Sequence, residues 1–134
     1  EEDLNPLGFH NWSKTHRMPT LISPSMVINN DGFPDLVIGS GGSNRIRSAL
    51  VQVLIYLYNK NLSLSEAVSS PRLHLEQSEI YVEPGIEIDA DFYKEMGISV
   101  NKFKENNLFF GGVNAVSMSE AIGDKRRGGW SISE

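Results

Sequence analysis

Between Leu36 and Ile46 an apolar run meets Gly39-Ser40-Gly41-Gly42-Ser43-Asn44 and then the start of an amphipathic pattern. A strand would therefore run through a glycine-rich turn into a helix N-terminus. Glycines allow a sharp bend and let a ligand approach the main chain. The first N–H groups of a helix have no intrahelical partner, and the helix dipole adds partial positive charge there. Such a corner suits an anion: a phosphate, a carboxylate or the oxyanion of acyl transfer. No Gly-Lys-Ser/Thr follows and the spacing is not G-x-G-x-x-G, so neither nucleotide-binding fingerprint is present. From these residues alone, a tight strand-to-helix turn without a ligand is an equally good reading.

The elements that must hold this turn follow from periodicity. Ser25 to Ile28 and Asp35 to Ile38 suit strands, and Asn29-Asn30-Asp31-Gly32 between them is a turn signal, so the pair predicts a hairpin. Ile46, Leu50, Val53, Leu54 and Leu57 recur at three- and four-residue steps, which predicts a helix to about Tyr58 with Ser43 or Asn44 as its N-cap. Ser63-Leu64-Ser65-Glu66 has the form of a capping box, opening a short helix that stops near Ser70, before Pro71. Glu79 to Val82 reads as a strand, and Asp89 caps a further short helix closed by Gly97. Ile98 to Phe103, Asn114 to Met118 and, more weakly, Trp130 to Ser133 complete the strands. Residues 1–19 read as an irregular lead-in. The interleaving of helices with a hairpin excludes a purely parallel sheet and predicts a mixed α and β class with antiparallel pairing.

The 134 residues suit one domain or a large piece of one, and the 40% hydrophobic and 22% charged fractions are ordinary for a globular chain. The net charge of −5 is spread along the sequence without a basic face, so nucleic acid has no support as a partner. Without cysteine there is neither disulfide nor thiolate-bound metal. The apolar run from Ala49 to Tyr58 is too short for a bilayer and carries Gln52. The chain opens on Glu1, Glu2 and Asp3 without an initiating methionine or a signal peptide, which reads as a processed subunit or a piece of a longer chain.

Five segments, in order, carry a resemblance. Arg17-Met18-Pro19-Thr20-Leu21-Ile22-Ser23-Pro24-Ser25-Met26 is similar to R-P-L-S-S-M-S-P-T-I of the γ-glutamyltransferase (γ-glutamyltranspeptidase) family. Pro34 to Ile46 resembles the family signature around G-S-P-G-G-S-R-I. Glu66-Ala67-Val68-Ser69-Ser70-Pro71-Arg72-Leu73-His74 resembles E-A-V-x-x-P-R-x-H, Val82-Glu83-Pro84-Gly85 the V-E-x-G that follows, and Asp124-Lys125-Arg126-Arg127-Gly128-Gly129 the D-P-R-R-G-G near the C-terminus. Spread over most of the chain, the five together are far more specific than any one.

The resemblance implies an α+β chain, part of an N-terminal nucleophile hydrolase αββα sandwich with mainly antiparallel sheets flanked by helices. Residues 1–134 would be the C-terminal portion of the small-subunit domain. The family precursor cuts itself, and the threonine released at the new N-terminus attacks glutathione or another γ-glutamyl amide. The acyl group then passes to an amino acid, a peptide or water, with the terminal amine able to serve as base. Carried over by residue, the oxyanion-hole N–H groups fall on Gly42 and Ser43, or on Gly41 and Gly42 with a one-residue shift. The family's two carboxylate-binding serines fall on Thr20 and Leu21, and Leu21 cannot donate. The acidic residue that holds the substrate α-amino group falls near Glu1. The nucleophilic threonine, its supporting threonine and the nearby asparagine have no counterpart here, since neither Thr15 nor Thr20 is N-terminal. The chain alone should be inactive. Its partners would be a small γ-glutamyl substrate and the remaining large- and small-subunit segments of the precursor. No cofactor or metal is implied, and the family's frequent place in the periplasm or outside the cell is known only by resemblance.

The remaining residues have blander readings. His10, His16 and His74 lack metal-ligand spacing. Glu76, Glu79, Glu83 and Glu87 read as a solvated face, Arg126-Arg127 as a turn with charge pairing, and Trp12 and Trp130 as packing. The alternatives to a family enzyme are a non-catalytic binding or scaffold homologue and a sister acylase of the same fold acting on another amide.

Overall fold

The structure, a computed structural model, describes Asn5, Leu7, Gly8, Asn11, Lys14, Thr15, Arg17 and residues 19–133. The hairpin is present: β1 (Ser25–Ile28) pairs antiparallel with β2 (Pro34–Gly41). Asn29 organises the turn, its Oδ1 accepting from the N–H groups of Asp31 and Phe33. Then follow α1 (Arg45–Tyr58), α2 (Leu64–Ser69), β3 (Leu73–Glu76), β4 (Glu79–Val82), α3 (Ala90–Glu95), β5 (Ser99–Lys102), β6 (Gly112–Ser117), β7 (Glu120–Gly123) and β8 (Ser131–Ser133). Ser63 and Glu66 form the predicted capping box on α2, and Asp89 caps α3. Among the described residues no helix is long and apolar enough to cross a membrane.

One sheet has five strands in the order β1-β2-β6-β7-β8, antiparallel throughout. The other has three, β3-β4-β5, with β4 and β5 parallel. A parallel neighbour needs a crossover, and residues 83–98 with α3 supply it. Strands β3 and β7 were not predicted. Each is four residues long, and β7 ends on a glycine, so neither shows a period of its own. Strand β2 also runs further than its apolar residues do, through Gly41, because β6 pairs with it as far as Gly41↔Gly112.

One face of the large sheet carries the core. Leu36, Ile38, Val113, Ala115 and Ile122 pack against Ile46, Ala49, Leu50 and Val53 of α1 and Leu64, Ala67 and Val68 of α2. Of the predicted stripe on α1, Ile46, Leu50 and Val53 are buried and Leu54 and Leu57 pack partly buried against the core, while Ala49 joins it; each large side chain fully buried contributes about 1.5–3 kcal/mol. Among the described residues, nothing covers the opposite face. The register Met26↔Val37↔Val116↔Ala121↔Ile132 draws an apolar row across all five strands. Within it Met26 is 54% exposed, Val116 53% and Ile132 74%. Beside the row lies an open hollow of about 480 Å³ lined by Pro24, Val37, Gly39, Asn114, Gly123 and Trp130. Trp130 is 91% exposed, so the expectation that it packs is not met within these residues; Trp12 lies outside the described residues.

Four charged side chains are buried together under the core. Arg72 Nη1 pairs with Asp124 Oδ2 at 2.8 Å, and Arg126 pairs with Glu83 through Nη2 at 2.6 Å and Nε at 2.7 Å. The carbonyls of Val68, Ser70 and Phe110 accept from the Nη groups of the two arginines, Arg72 Nε finds no partner among the described residues, and Glu83 also accepts from the main-chain N–H of Arg72. This corrects the reading of Glu83 as part of a solvated face: Glu79 and Glu87 are exposed, but Glu83 is 1% exposed. A lone carboxylate could not be buried there, but one held in two bonds by a guanidinium can. The charge pairing foreseen for Arg126 is present.

Burial works against the charge on Asp124, but the Arg72 guanidinium and the N–H groups of Val113 and Arg126 outweigh it and hold its carboxyl below the ordinary 3.8. A depressed folded-state value makes this stabilisation complete above the unfolded value and progressively lost as pH falls through the folded one. Below about pH 4, wild-type stability is expected to fall more steeply than that of Asp124→Asn. Urea unfolding of the processed full-length protein at several pH values would check this; parallel acid limbs would refute it.

Candidate functional site

At the end of β2 the chain turns through Gly42 and Ser43 into α1. Gly42 has φ +133°, which an L-residue with a side chain rarely adopts. Among the described residues, neither Gly42 nor Ser43 donates a main-chain hydrogen bond, whereas Gly41 lies in the β2–β6 ladder. The Ser43 carbonyl accepts from the Ile46 N–H at 2.9 Å, closing the first turn. Asn44 stands at the N-cap position but does not cap: its backbone is already helical, and no side-chain cap bond forms. This corrects the expectation of a side-chain N-cap at Ser43 or Asn44. Two unpaired N–H groups therefore lie at the positive end of a 14-residue helix, a geometry able to receive an oxyanion or carboxylate.

Glycines also form the neighbouring wall. Gly111 has φ +82°, and a β-carbon there would stand 3.0 Å from Ser40 Oγ and 3.3 Å from Ala49 Cβ. One on Gly112 would meet Arg127 Cδ, so only glycine lets the Arg127 side chain lie across this strand. The guanidinium extends over the corner: a β-carbon built on Gly42 would be 3.7 Å from Arg127 Nη2, and one on Gly41 3.8 Å from Nε. Arg127 is exposed and adds a cation to the anion-accepting corner. Its expected place in a charge-paired turn suits Arg126 instead. The sequence signal was the glycine-flanked second arginine, which only the fold connects to Gly41 and Gly42.

Asn44 and Arg45 are bound from outside α1. Asn44 Nδ2 donates to Glu76 Oε1 at 2.5 Å, and Arg45 Nη2 lies 2.7 Å from Glu76 Oε2. The Asn44 bond is the main cause that lowers the Glu76 carboxyl, with Arg45 adding to it and burial opposing. His74 is 5% exposed and shares a 2.7 Å hydrogen bond through Nδ1 with Ser48 Oγ. Burial, then Arg45, push its pKa below the ordinary 6.5. It is a packing histidine, as expected; His10 and His16 lie outside the described residues.

The other candidates are less assembled. Thr20 is exposed, and its Oγ1 accepts from the Ile22 N–H at 3.1 Å, leaving its own proton to donate. The antiparallel register Ser25↔Ile38 directs residues before Ser25 toward the Gly41 end of β2. Leu21 is partly buried and packs against the core. Glu1 lies outside the described residues.

Comparison with known proteins agrees with this arrangement. The family model described as Gamma-glutamyltranspeptidase matches residues 3–132. The chain is 31% identical over 131 residues to the capsule biosynthesis protein CapD proenzyme of Bacillus anthracis, covering 91% of this chain and 24% of that protein. It is 40% identical over 58 residues to a glutathione hydrolase proenzyme of Pseudomonas aeruginosa, covering 43% and 10% respectively. It thus spans a quarter or less of these relatives' length. Among solved structures, Gamma-glutamyltranspeptidase from Pseudomonas nitroreducens, complexed with L-DON, superposes with a TM-score of 0.73 at 28% identity, over 92% of this chain and 67% of that one. The mainly antiparallel sheet with its helical layer is thus part of the N-terminal nucleophile hydrolase fold. By its matching family model, its relatives and its architecture, this chain belongs to the γ-glutamyltranspeptidase family.

Proposed function

We propose that this chain is the C-terminal portion of the small-subunit domain of a γ-glutamyl acyl-transfer enzyme and supplies its oxyanion loop. The enzyme takes glutathione or a related γ-glutamyl amide and passes the acyl group to an amino acid, a peptide or water. The observation that carries this reading is the pair of unpaired N–H groups of Gly42 and Ser43 at the head of α1. When a nucleophile attacks the γ-carbonyl, negative charge gathers on its oxygen. Fixed N–H donors at a helix N-terminus meet that charge without reorganising. Arg127 adds positive charge beside them. The nucleophile and its base come from residues outside this chain, as do the strands that cover the open face of the large sheet. Its exposed apolar row from Met26 to Ile132 supports a second sheet packed there.

Leu21 favours a variation on this reading. Packed partly buried against the core, it offers no hydroxyl to a substrate carboxylate, so Thr20 alone would serve from this segment. An acyl donor other than a free γ-glutamyl group fits that change.

The test is chromophore release from a γ-glutamyl anilide by the full-length precursor and by this chain alone. Activity only in the precursor is the expected result. Inactivity of both would overturn the γ-glutamyl reading and direct attention to other amides.

A further inference from the structure

The glycine corner is anchored by a residue that does not face it. Asn44, last of the turn, has the side chain that most often caps its own helix by accepting from the N–H of the second or third residue. Here the amide is drawn sideways to Glu76 at the end of β3, and no cap bond forms. The same carboxylate holds Arg45, the first residue of α1, and the Arg45 guanidinium lies 4.2 Å over the Phe109 ring. On its inner side stands His74, whose Nε2 is 3.7 Å from Glu76 Oε2 and whose other nitrogen is bound to Ser48, one turn along the helix. Strand β3 thus grips the first turn of α1 at Asn44, Arg45 and Ser48. Two consequences follow. The Asn44 side chain is kept off the N–H groups at the head of α1, and the residue that follows Gly42 and Ser43 is held in place.

We propose that Glu76 is a positioning residue for acyl transfer: by binding Asn44 and Arg45 it fixes the Gly42–Asn44 turn and prevents Asn44 from capping the helix whose head receives the oxyanion. The proposal rests on the acyl-transfer reading above. Its mark is a split between kinetic constants. The oxyanion exists only beyond the ground state, so loosening its donors lowers kcat while the substrate is bound as before.

The experiment uses the processed full-length protein with a γ-glutamyl anilide, measuring kcat, KM and the thermal midpoint. Glu76→Ala is expected to lower kcat by about ten- to a hundredfold, with KM nearly unchanged. Glu76→Gln keeps an acceptor for Asn44 and is expected to restore most of the loss. Asn44→Asp sets a carboxylate against Glu76, so that side chain swings away and can cap α1; it is expected to lose kcat like Glu76→Ala. Being almost isosteric, it decides the matter if Glu76→Ala does not accumulate as folded protein. A wild-type protein without activity overturns the acyl-transfer reading and this proposal with it. An active wild type with kcat retained in Glu76→Ala or Asn44→Asp overturns the proposal alone. So does a loss that follows the thermal midpoint and is not restored by Glu76→Gln.

Discussion

Replacing Glu83 with alanine is expected to lower the unfolding free energy of the processed protein by about 3–5 kcal/mol, because it leaves a buried guanidinium without its partner. Glu83 is 1% exposed and binds Arg126 through both oxygens, at 2.7 and 2.6 Å. It also accepts from the main-chain N–H groups of Arg72 and Asn107. After truncation Arg126 keeps carbonyl acceptors at Val68 and Ser70, and Asp124 Oδ1 at 3.3 Å, but no carboxylate in bidentate contact. Joining Glu83→Ala to Arg126→Met removes the stranded charge. The double variant is expected to be more stable than Glu83→Ala alone, the sign of a strongly coupled pair. Chemical unfolding of the four members of the cycle measures it. A Glu83→Ala loss below about 1 kcal/mol would mean the pair carries no more than a surface ion pair, contrary to its burial. The network also has a bearing on the site. Asp124 and Arg126 hold the turn that carries Arg127, and Asp124 accepts from the N–H of Val113, next to the glycine wall at Gly112.

Gly42→Ala is expected to reduce kcat toward a γ-glutamyl anilide by on the order of 10²–10³, the usual effect of losing one oxyanion donor. Space is not the obstacle, since the nearest atoms to a β-carbon there are Arg127 Nη2 at 3.7 Å and Ile46 Cγ1 at 3.8 Å. The obstacle is the backbone. At φ +133° an alanine is strained, by about 1–3 kcal/mol, and relaxing that strain turns the peptide that carries the neighbouring N–H. Gly41→Ala is the informative comparison. Gly41 has an ordinary φ, lies in the ladder to Gly112, and its β-carbon would come no closer than 3.8 Å to Arg127. Its expected loss is smaller, on the order of tenfold. Greater damage at Gly41 than at Gly42 would show that the donor pair is shifted by one residue, to Gly41 and Gly42.

The parts legible in the amino-acid sequence are those governed by neighbours in the chain. The Asn29–Gly32 turn, the capping box of Ser63 and Glu66, the Asp89 cap and the apolar stripe of α1 are local agreements between side chains and backbone. Each is found where its residues predict. The glycine corner was legible too, since a strand, a glycine run and a helix in succession permit few paths. What the sequence did not disclose was partnership across the fold. Strands β3 and β7 are defined by the neighbours that pair with them, β4 and β6. Glu83 resembles its exposed neighbours Glu79 and Glu87 until Arg126, 43 residues away, is brought against it. Asn44 has the composition of a cap, and only the arrival of Glu76 from β3 draws its side chain elsewhere. Arg127 reads as one of two turn arginines until the packing of β2 against β6 sets it over Gly41 and Gly42. Local propensity thus determined the helices, most of the strands and the bend that can receive an anion. Tertiary packing decided which N–H groups stay unpaired, which charges are buried and which arginine faces the corner, because hydrogen bonding and desolvation are settled only when distant segments meet.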